Sequence, residues 1–178
     1  MRKFDFRAST LRAAGLSTLL VLILGLVGCG GNTAEEHYAR AQSYVAEGED
    51  RAALVELRNA VQKQKKYPEA RLLLGETRAR LGDFPTAFKE FERALDEGLD
   101  NDRVRLGLLE TSVRLALYQQ VIGELEGSGA LSPPFAVVLA DAYLARNDVA
   151  KAAALYRQGI DLSGGNLGLG TIAWQQGD

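Results

Sequence analysis

Thiol and imidazole groups are almost absent from this 178-residue sequence, which contains one cysteine, Cys29, and one histidine, His37. A single cysteine allows no disulfide within the chain, and no cluster of His and Cys has the spacing of metal ligands. A Ser-His-Asp or Cys-His catalytic device would have to use His37 without a supporting motif, so we expect this side chain to pack or to contact solvent. The sequence therefore predicts a protein that is not an enzyme, with no catalytic residue, no metal site and no cofactor.

Aromatic residues and concentrated positive charge are also scarce. Aromatics make up 7% of the chain, whereas 47% is hydrophobic, and the abundance of Ala and Gly favours close contacts between helices over one aromatic core. Without residues 1–28 the chain has 17 basic and 22 acidic residues, a net charge of −5. Nucleic-acid binding requires a concentrated basic face, so we expect no nucleic-acid partner.

The first 28 residues have the organisation of a bacterial export signal. A short cationic segment, 1–12, precedes the apolar run 13–27, which is shorter than the roughly 20 residues of a membrane-spanning helix. The run ends in Leu-Val-Gly-Cys, which resembles the lipobox of bacterial lipoproteins. This resemblance implies cleavage between Gly28 and Cys29, with diacylglycerol on the sulfur of Cys29 and an acyl chain, typically palmitate, on its amino group.

The residue after the cysteine predicts the location of the protein. In the Gram-negative lipoproteins that this segment resembles, Asp at that position tends to retain the protein at the inner membrane, and this chain has Gly30 instead. We therefore expect a lipid anchor in the outer membrane and a body that faces the periplasm, with the inner membrane as the alternative. The other interpretation of Cys29 is a buried free thiol behind an ordinary signal peptide.

The rest of the chain repeats with a period of 34 residues. Residues 41–62 align without a gap onto residues 75–96, and 34 residues is the period of the tetratricopeptide repeat, a pair of antiparallel helices. Small residues recur where the paired helices would cross, because only short side chains allow the backbones to approach closely. The predicted packing positions are Ala41, Ala53, Ala60, Gly75, Ala87, Ala94, Ala140 and Ala152.

The turn inside each repeat has its own pattern. Gly48 and Gly82 follow the first helix of their repeats, where a residue that tolerates a left-handed conformation ends a helix. Asp83 then fits the N-cap of the second helix, and Pro85 fits its first turn. Ile160 is predicted to continue the apolar stripe of the second helix in the fourth repeat.

These signals predict an all-α solenoid of about four repeats plus a half repeat. The third repeat is degenerate, because its second helix is expected to break up from Gly123 onwards. The predicted segments are the signal peptide at 1–28, the acylated cysteine and flexible linker at 29–34, and repeats at 35–67, 68–101, 102–132, 133–164 and 165–178, the last with one helix only.

The half repeat at the end predicts uncovered apolar residues. Repeat arrays normally finish with a polar capping helix, whereas this helix contains Leu167, Leu169, Ile172 and Trp174. We expect these four side chains to be exposed and the chain to be a truncated copy of a longer array. The alternative is a partner that covers this end.

A lipobox followed by such an array is similar to the tetratricopeptide-repeat lipoproteins of bacteria. Two segments resemble in particular the PrsT group, which is encoded with exopolysaccharide and PEP-CTERM/exosortase loci. They are AEEHYARAQSYVAEGEDRAALVELRNAVQK and YPEARLLLGETRARLGDFPTAFKEFERAL. This resemblance implies an interaction scaffold that serves polysaccharide export or surface-protein sorting.

The chain departs from the pattern at Gly159, where a packing Ala is usual, and this departure is expected to loosen that joint. Two other functions remain open, an outer-membrane assembly factor of the pilotin or insertion-subunit type and the accessory repeat region of a longer enzyme.

In this family the first helices of the repeats line a concave groove, and the register implies which residues face it. An extended peptide or a helix of a partner protein would bind there. The alternative is an ordinary solvated helix face, on which Glu76 with Arg80, and Glu110 with Arg114, form i, i+4 ion pairs. The expected groove residues are an apolar row of Tyr38, Leu72, Leu106 and Val137, a polar row of Gln42, Glu76, Glu110 and Asp141, and the two basic residues Arg80 and Arg114.

Overall fold

The computed structural model describes residues 32–177, so the predictions about the signal peptide, Gly28 and Cys29 lie outside the described residues. Within the described range the regular elements are nine α-helices, with no strand, which confirms the all-α prediction. No helix in this range is long and apolar enough to span a membrane. The helices are α1 (Ala34–Ala46), α2 (Asp50–Lys63), α3 (Pro68–Arg80), α4 (Phe84–Asp96), α5 (Asp102–Arg114), α6 (Tyr118–Glu126), α7 (Pro133–Ala145), α8 (Val149–Gln158) and α9 (Ser163–Gln176).

Consecutive helices pair as first and second helices of a repeat, with α1, α3, α5 and α7 each followed closely by its partner. Within each pair the turn residue has a positive φ, and the next N–H bonds the carbonyl five residues back, as from Asp83 to Arg78 at 2.9 Å. Asp83 also caps α4 by accepting a hydrogen bond from the N–H of Thr86, and Pro85 lies in the first turn, as predicted. The turn residues are Gly48, Gly82, Ala116 and Asn147, with φ of 77°, 80°, 60° and 66°.

The small residues lie where the paired helices touch. Ala41 and Ala53 have no exposed surface and belong to one core cluster with Leu57. The structure buries all of the predicted packing positions, Ala41, Ala53, Ala60, Gly75, Ala87, Ala94, Ala140 and Ala152. Close helix contacts, more than large side chains, therefore hold each pair together.

Larger side chains join one repeat to the next. The ring of Phe91 on α4 packs against Gly107 on α5 so closely that a Cβ at Gly107 would lie 2.6 Å from it. Tyr156 on α8 packs in the same way against Gly168 on α9, where a Cβ would lie 2.3 Å from the ring. An aromatic residue on a second helix thus fills the space that glycine leaves on the following first helix.

The structure corrects two expectations about the second helices. Helix α6 continues through Gly123 to Glu126, because Val121, Ile122 and Leu125 bury one of its faces in the core. Ile160 lies beyond the end of α8 and is 47% exposed, so it does not extend the apolar stripe of that helix.

The joint before α9 is tight, contrary to the expectation from Gly159. A Cβ at Gly159 would lie 2.5 Å from Val137, and one at Gly165 would lie 2.1 Å from the carbonyl oxygen of Gly159. Glycine here permits close approach and does not loosen the joint.

Helix α9 begins at Ser163, two residues before the predicted start, and it is only partly uncovered. Ile172 is buried and Leu169 partly buried against the core cluster of α7 and α8, contrary to expectation. Leu167 and Trp174 are 71% and 84% exposed, because they lie on the opposite face of the helix. The glycine-rich start of α9 is helical.

Candidate functional site

An open groove of about 1000 Å³ runs along the first helices of the second, third and fourth repeats. Its walls carry both apolar and charged side chains and lie mainly on α3, α5 and α7, because these first helices pack side by side. Of the predicted residues, it is lined by Glu76, Arg80, Leu106, Glu110, Arg114 and Asp141.

Four predicted residues do not line this cavity. Leu72 is 5% exposed and belongs to the core with Phe91, so it is unavailable to a ligand. Val137 fills the space over Gly159, and the ring of Tyr38 packs on that of Tyr67 at a centroid distance of 5.2 Å. The fourth, Gln42, is exposed on α1. The predicted apolar row therefore serves mostly as packing between helices, and only Leu106 remains in the groove.

Two charged residues of the groove, Glu76 and Arg80, form ion pairs with other repeats and not along their own helix. Arg103 on α5 donates to both carboxylate oxygens of Glu76 on α3, at 2.5 and 2.7 Å. Arg80 donates to Asp50 of the first repeat at 2.8 and 2.9 Å. The pair of Glu76 with Arg80 expected for a solvated helix face is not formed, because each partner has a counter-ion on another helix.

Glu110 and Asp141, hereafter the acid pair, line the groove on α5 and α7. The hydroxyl of Tyr156 donates to Asp141 Oδ1 at 2.5 Å. Loss of hydration raises the pKa of Glu110, and the Asp141 carboxylate raises it further. Loss of hydration also raises the pKa of Asp141, although the hydrogen bond from Tyr156 opposes this shift. Both side chains still contact solvent, so the acid pair is accessible but poorly hydrated.

Arg114 does not neutralise the acid pair by direct contact. Its guanidinium lies 5.6 Å from the centre of the Phe84 ring, in the geometry of a cation–π interaction. Within residues 32–177 it forms no ion pair with Glu110, so the second expected i, i+4 pair is also absent.

Sequence reasoning missed several groove residues, among them Phe84, Arg103 and Tyr156. Phe84 and Tyr156 belong to second helices, whereas the prediction considered only residues of the first helices. Both reach the cavity because their aromatic side chains are long. A signal was present in the sequence, since Tyr156 and Phe91 occupy the same repeat position, nine residues after the turn residue.

The comparisons with known proteins agree with this arrangement. A family model described as a tetratricopeptide repeat matches residues 68–87 and 133–158, which lie in α3 with the start of α4 and in α7 with α8. The fold of the described residues is that of a tetratricopeptide-repeat solenoid. Among solved structures it is similar to MamA, residues 41 to the end, from Desulfovibrio magneticus RS-1, with 19% identity over 83% of this chain and 88% of that chain and a TM-score of 0.66. The MamA RS-1 ArsTM double mutant gives 18% identity over 83% and 87% of the two chains, with a TM-score of 0.62. The comparison with curated protein sequences found no match.

The histidine of this tetratricopeptide solenoid contributes to packing of the first repeat. His37 is buried, and its Nδ1 lies 2.6 Å from Glu56 Oε2, which also accepts from Arg40 at 3.1 Å. The hydrogen bond with His37 is the main cause that lowers the pKa of Glu56. These contacts fasten α1 to α2, and among the described residues no group of three His, Cys, Asp or Glu side chains could hold a metal.

Proposed function

We propose that this protein is an interaction scaffold that binds a segment of a partner protein in its groove. The observation that carries the proposal is the open groove of about 1000 Å³, whose walls combine apolar side chains such as Leu106 and Leu144 with charged ones. Solenoids bind partners on such extended surfaces, and the mixture of apolar area with a few placed charges suits a peptide.

A groove-filling variant tests this proposal. Ala145 lines the groove at the end of α7 and is exposed, so Ala145→Trp adds a large side chain to the cavity without entering the core. Ala154 on α8 is also exposed but does not line the groove, and Ala154→Trp is the matched control. Peptides are selected from a random displayed library on the purified full chain, and their affinities are measured by fluorescence anisotropy.

The selected peptides are expected to bind Ala145→Trp at least tenfold more weakly than wild type and to bind Ala154→Trp normally. Equal binding to both variants, or no enrichment of any peptide, would contradict a peptide-binding groove. Circular dichroism of both variants checks that the helices are retained.

We propose further that the solenoid is attached through lipid on Cys29 to the outer membrane and faces the periplasm, as a scaffold for exopolysaccharide export or PEP-CTERM protein sorting. Support comes from the Leu-Val-Gly-Cys segment and from the amino-acid sequence of the repeats, which resembles that of the PrsT group. In a Gram-negative host, Cys29→Ser is expected to lose labelling by palmitate and to leave the membrane fraction. Retention of label in this variant would contradict the anchor.

The pathway is tested separately from the anchor. In a strain that carries this gene, its deletion is expected to reduce secreted polysaccharide or the surface display of a PEP-CTERM protein. Wild type is expected to restore the loss, and Ala145→Trp is expected to fail. Normal secretion and display after deletion would exclude this pathway.

A further inference from the structure

The charges of the groove are balanced at one end and unbalanced at the other. Glu76 has Arg103 as a bidentate partner, and Arg80 is held by Asp50. The acid pair, Glu110 and Asp141, forms no ion pair with any Lys or Arg of residues 32–177. This part of the groove therefore has two carboxylates whose counter-charge is incomplete.

Arg114 supplies the nearest compensation, and it is partial. Its charge lowers the pKa of both acidic residues, but its guanidinium lies over the Phe84 ring and makes no direct contact with them. Poor hydration outweighs this attraction, since the pKa of each carboxyl group is raised. A second cation placed against the acid pair would replace the missing hydration and relieve the repulsion between the two carboxylates.

One member of the acid pair, Asp141, is held in place before any ligand arrives. Tyr156 donates to Asp141 at 2.5 Å, and the tyrosine ring is itself fixed by close contact with Gly168. Glu110 is on the rigid helix α5, one turn after Leu106. A preorganised carboxylate such as that of Asp141 binds a cation with little loss of conformational entropy.

Apolar side chains lie beside these carboxylates in the same cavity. Leu106 and Leu144 line the groove together with the acid pair. The side chains of Lys and Arg consist of an apolar stem and a cationic head, and this combination of surfaces suits both parts. A free anion is disfavoured by the two negative charges, and the acid pair alone offers too few ligands for a metal cage.

We infer that the groove recognises a partner segment with a lysine or arginine, whose cationic head binds Glu110 and Asp141 and whose stem packs on Leu106 and Leu144. The inference rests on the proposed peptide-binding function and adds the chemical class of the partner. It also makes binding dependent on salt and pH, because screening weakens the ion pairs and protonation of the carboxylates removes them.

The experiment uses the peptides selected on the full chain. Enrichment of Lys or Arg is expected, and a lysine-containing peptide is then compared with its norleucine version, which keeps the stem and lacks the charge. Glu110→Gln/Asp141→Asn removes the acid pair while Asn keeps an acceptor for Tyr156. Glu92→Gln/Asp161→Asn changes the charge equally on exposed residues outside the groove and serves as the control.

Removing the acid pair is expected to weaken the lysine peptide at least tenfold and to leave the norleucine peptide within twofold, while the control double variant binds both as wild type does. Selected peptides without Lys or Arg, or equal binding to the acid-pair variant and its control, would overturn the inference. If such a result is accompanied by loss of binding to Ala145→Trp, the inference fails and the proposed peptide-binding function stands. Unchanged binding to Ala145→Trp would instead overturn the proposed function itself.

Discussion

At the scale of single residues, Ala116 has a backbone conformation that is unfavourable for its side chain. Its φ of 60° is in the left-handed region, where the corresponding turns of the first two repeats have glycine. A left-handed conformation costs an L-residue with a Cβ about 1–2 kcal/mol. The turn requires this conformation to reverse the chain between α5 and α6, so the third repeat is strained at a point where the sequence has lost the usual glycine.

Ala116→Gly is therefore expected to stabilise the protein. Relief of the left-handed strain exceeds the extra entropy that glycine has in the unfolded chain, and the net gain is about 0.5–1 kcal/mol. Urea unfolding followed by circular dichroism measures it. Ala154→Gly, in an exposed helical position, is the control and is expected to lose about 1 kcal/mol. A lower midpoint for Ala116→Gly would show that this turn is not strained.

Glu110 is expected to make stability depend on pH. Because its pKa is raised in the folded protein by poor hydration, the folded state binds its proton more tightly than the unfolded state. The free energy of unfolding therefore falls as pH rises through the ordinary Glu pKa of about 4.3 and on to the raised value.

Glu110→Gln removes this dependence. The variant is expected to melt about 1 °C above wild type at pH 7, a small shift because the side chain contacts solvent, and to match wild type below about pH 4. Thermal melts at both pH values test this expectation, with Glu92→Gln as an equal change of charge outside the groove. A gap of the same size at both pH values would assign the effect to something other than ionisation.

At the scale of helices, the joints between repeats depend on complementary volumes. The residue nine positions after each turn residue is large, and it packs near the residue nine positions before the next turn residue, a place that Gly177 takes for the last joint. Phe91 and Tyr156 contact glycines at that position, whereas Leu57 and Leu125 belong to core clusters with aliphatic residues there, Leu73 and Val138. The pairs are Leu57 with Leu73, Phe91 with Gly107, Leu125 with Val138 and Tyr156 with Gly168.

Gly107→Val is expected to destabilise the second joint by about 1–3 kcal/mol, because its side chain would overlap the Phe91 ring. Phe91→Leu in the same chain recreates the Leu–Val combination of the third joint and is expected to recover at least 1 kcal/mol of that loss. Gly123→Val, at a helical glycine with nothing within 4 Å of its Cβ, controls for helix propensity. Additive losses in the Phe91→Leu/Gly107→Val double variant, measured by urea unfolding, would contradict the pairing.

At the scale of the whole described solenoid, helices pack on their neighbours along the chain. Each helix contacts the next, and the first helices α3, α5, α7 and α9 also contact one another in order. Stability in such an array is nearly a sum of repeats and nearest-neighbour interfaces. Damage at one joint should therefore remain local.

Gly168→Val tests this locality at the last joint, since its side chain would collide with the Tyr156 ring. Hydrogen exchange measured by mass spectrometry is expected to accelerate in α8 and α9 and to remain unchanged in α1 to α4. Gly170→Val lies on the same helix with open space around its Cβ and is expected to change little. Faster exchange throughout the chain would show that the solenoid unfolds as one cooperative unit.

The sequence by itself determined the helices, their pairing and the turns. The 34-residue period, the small residues such as Ala41 and Ala87, and the cap at Asp83 are local or nearest-neighbour signals, and in a repeat each unit contacts only its neighbours. The register therefore predicted the packing positions that the structure buries.

Only the tertiary structure decided what the groove contains. The repeat register predicted Leu72 and Val137 as groove residues because it takes every repeat to be the same. Packing against other helices instead buries Leu72 and places Val137 over Gly159. Helical spacing also predicted an ion pair between Glu76 and Arg80 on one helix. In the structure Glu76 pairs with Arg103 and Arg80 pairs with Asp50, each on another repeat. Side-chain reach and volume between repeats vary from joint to joint, and a periodic pattern does not contain that information.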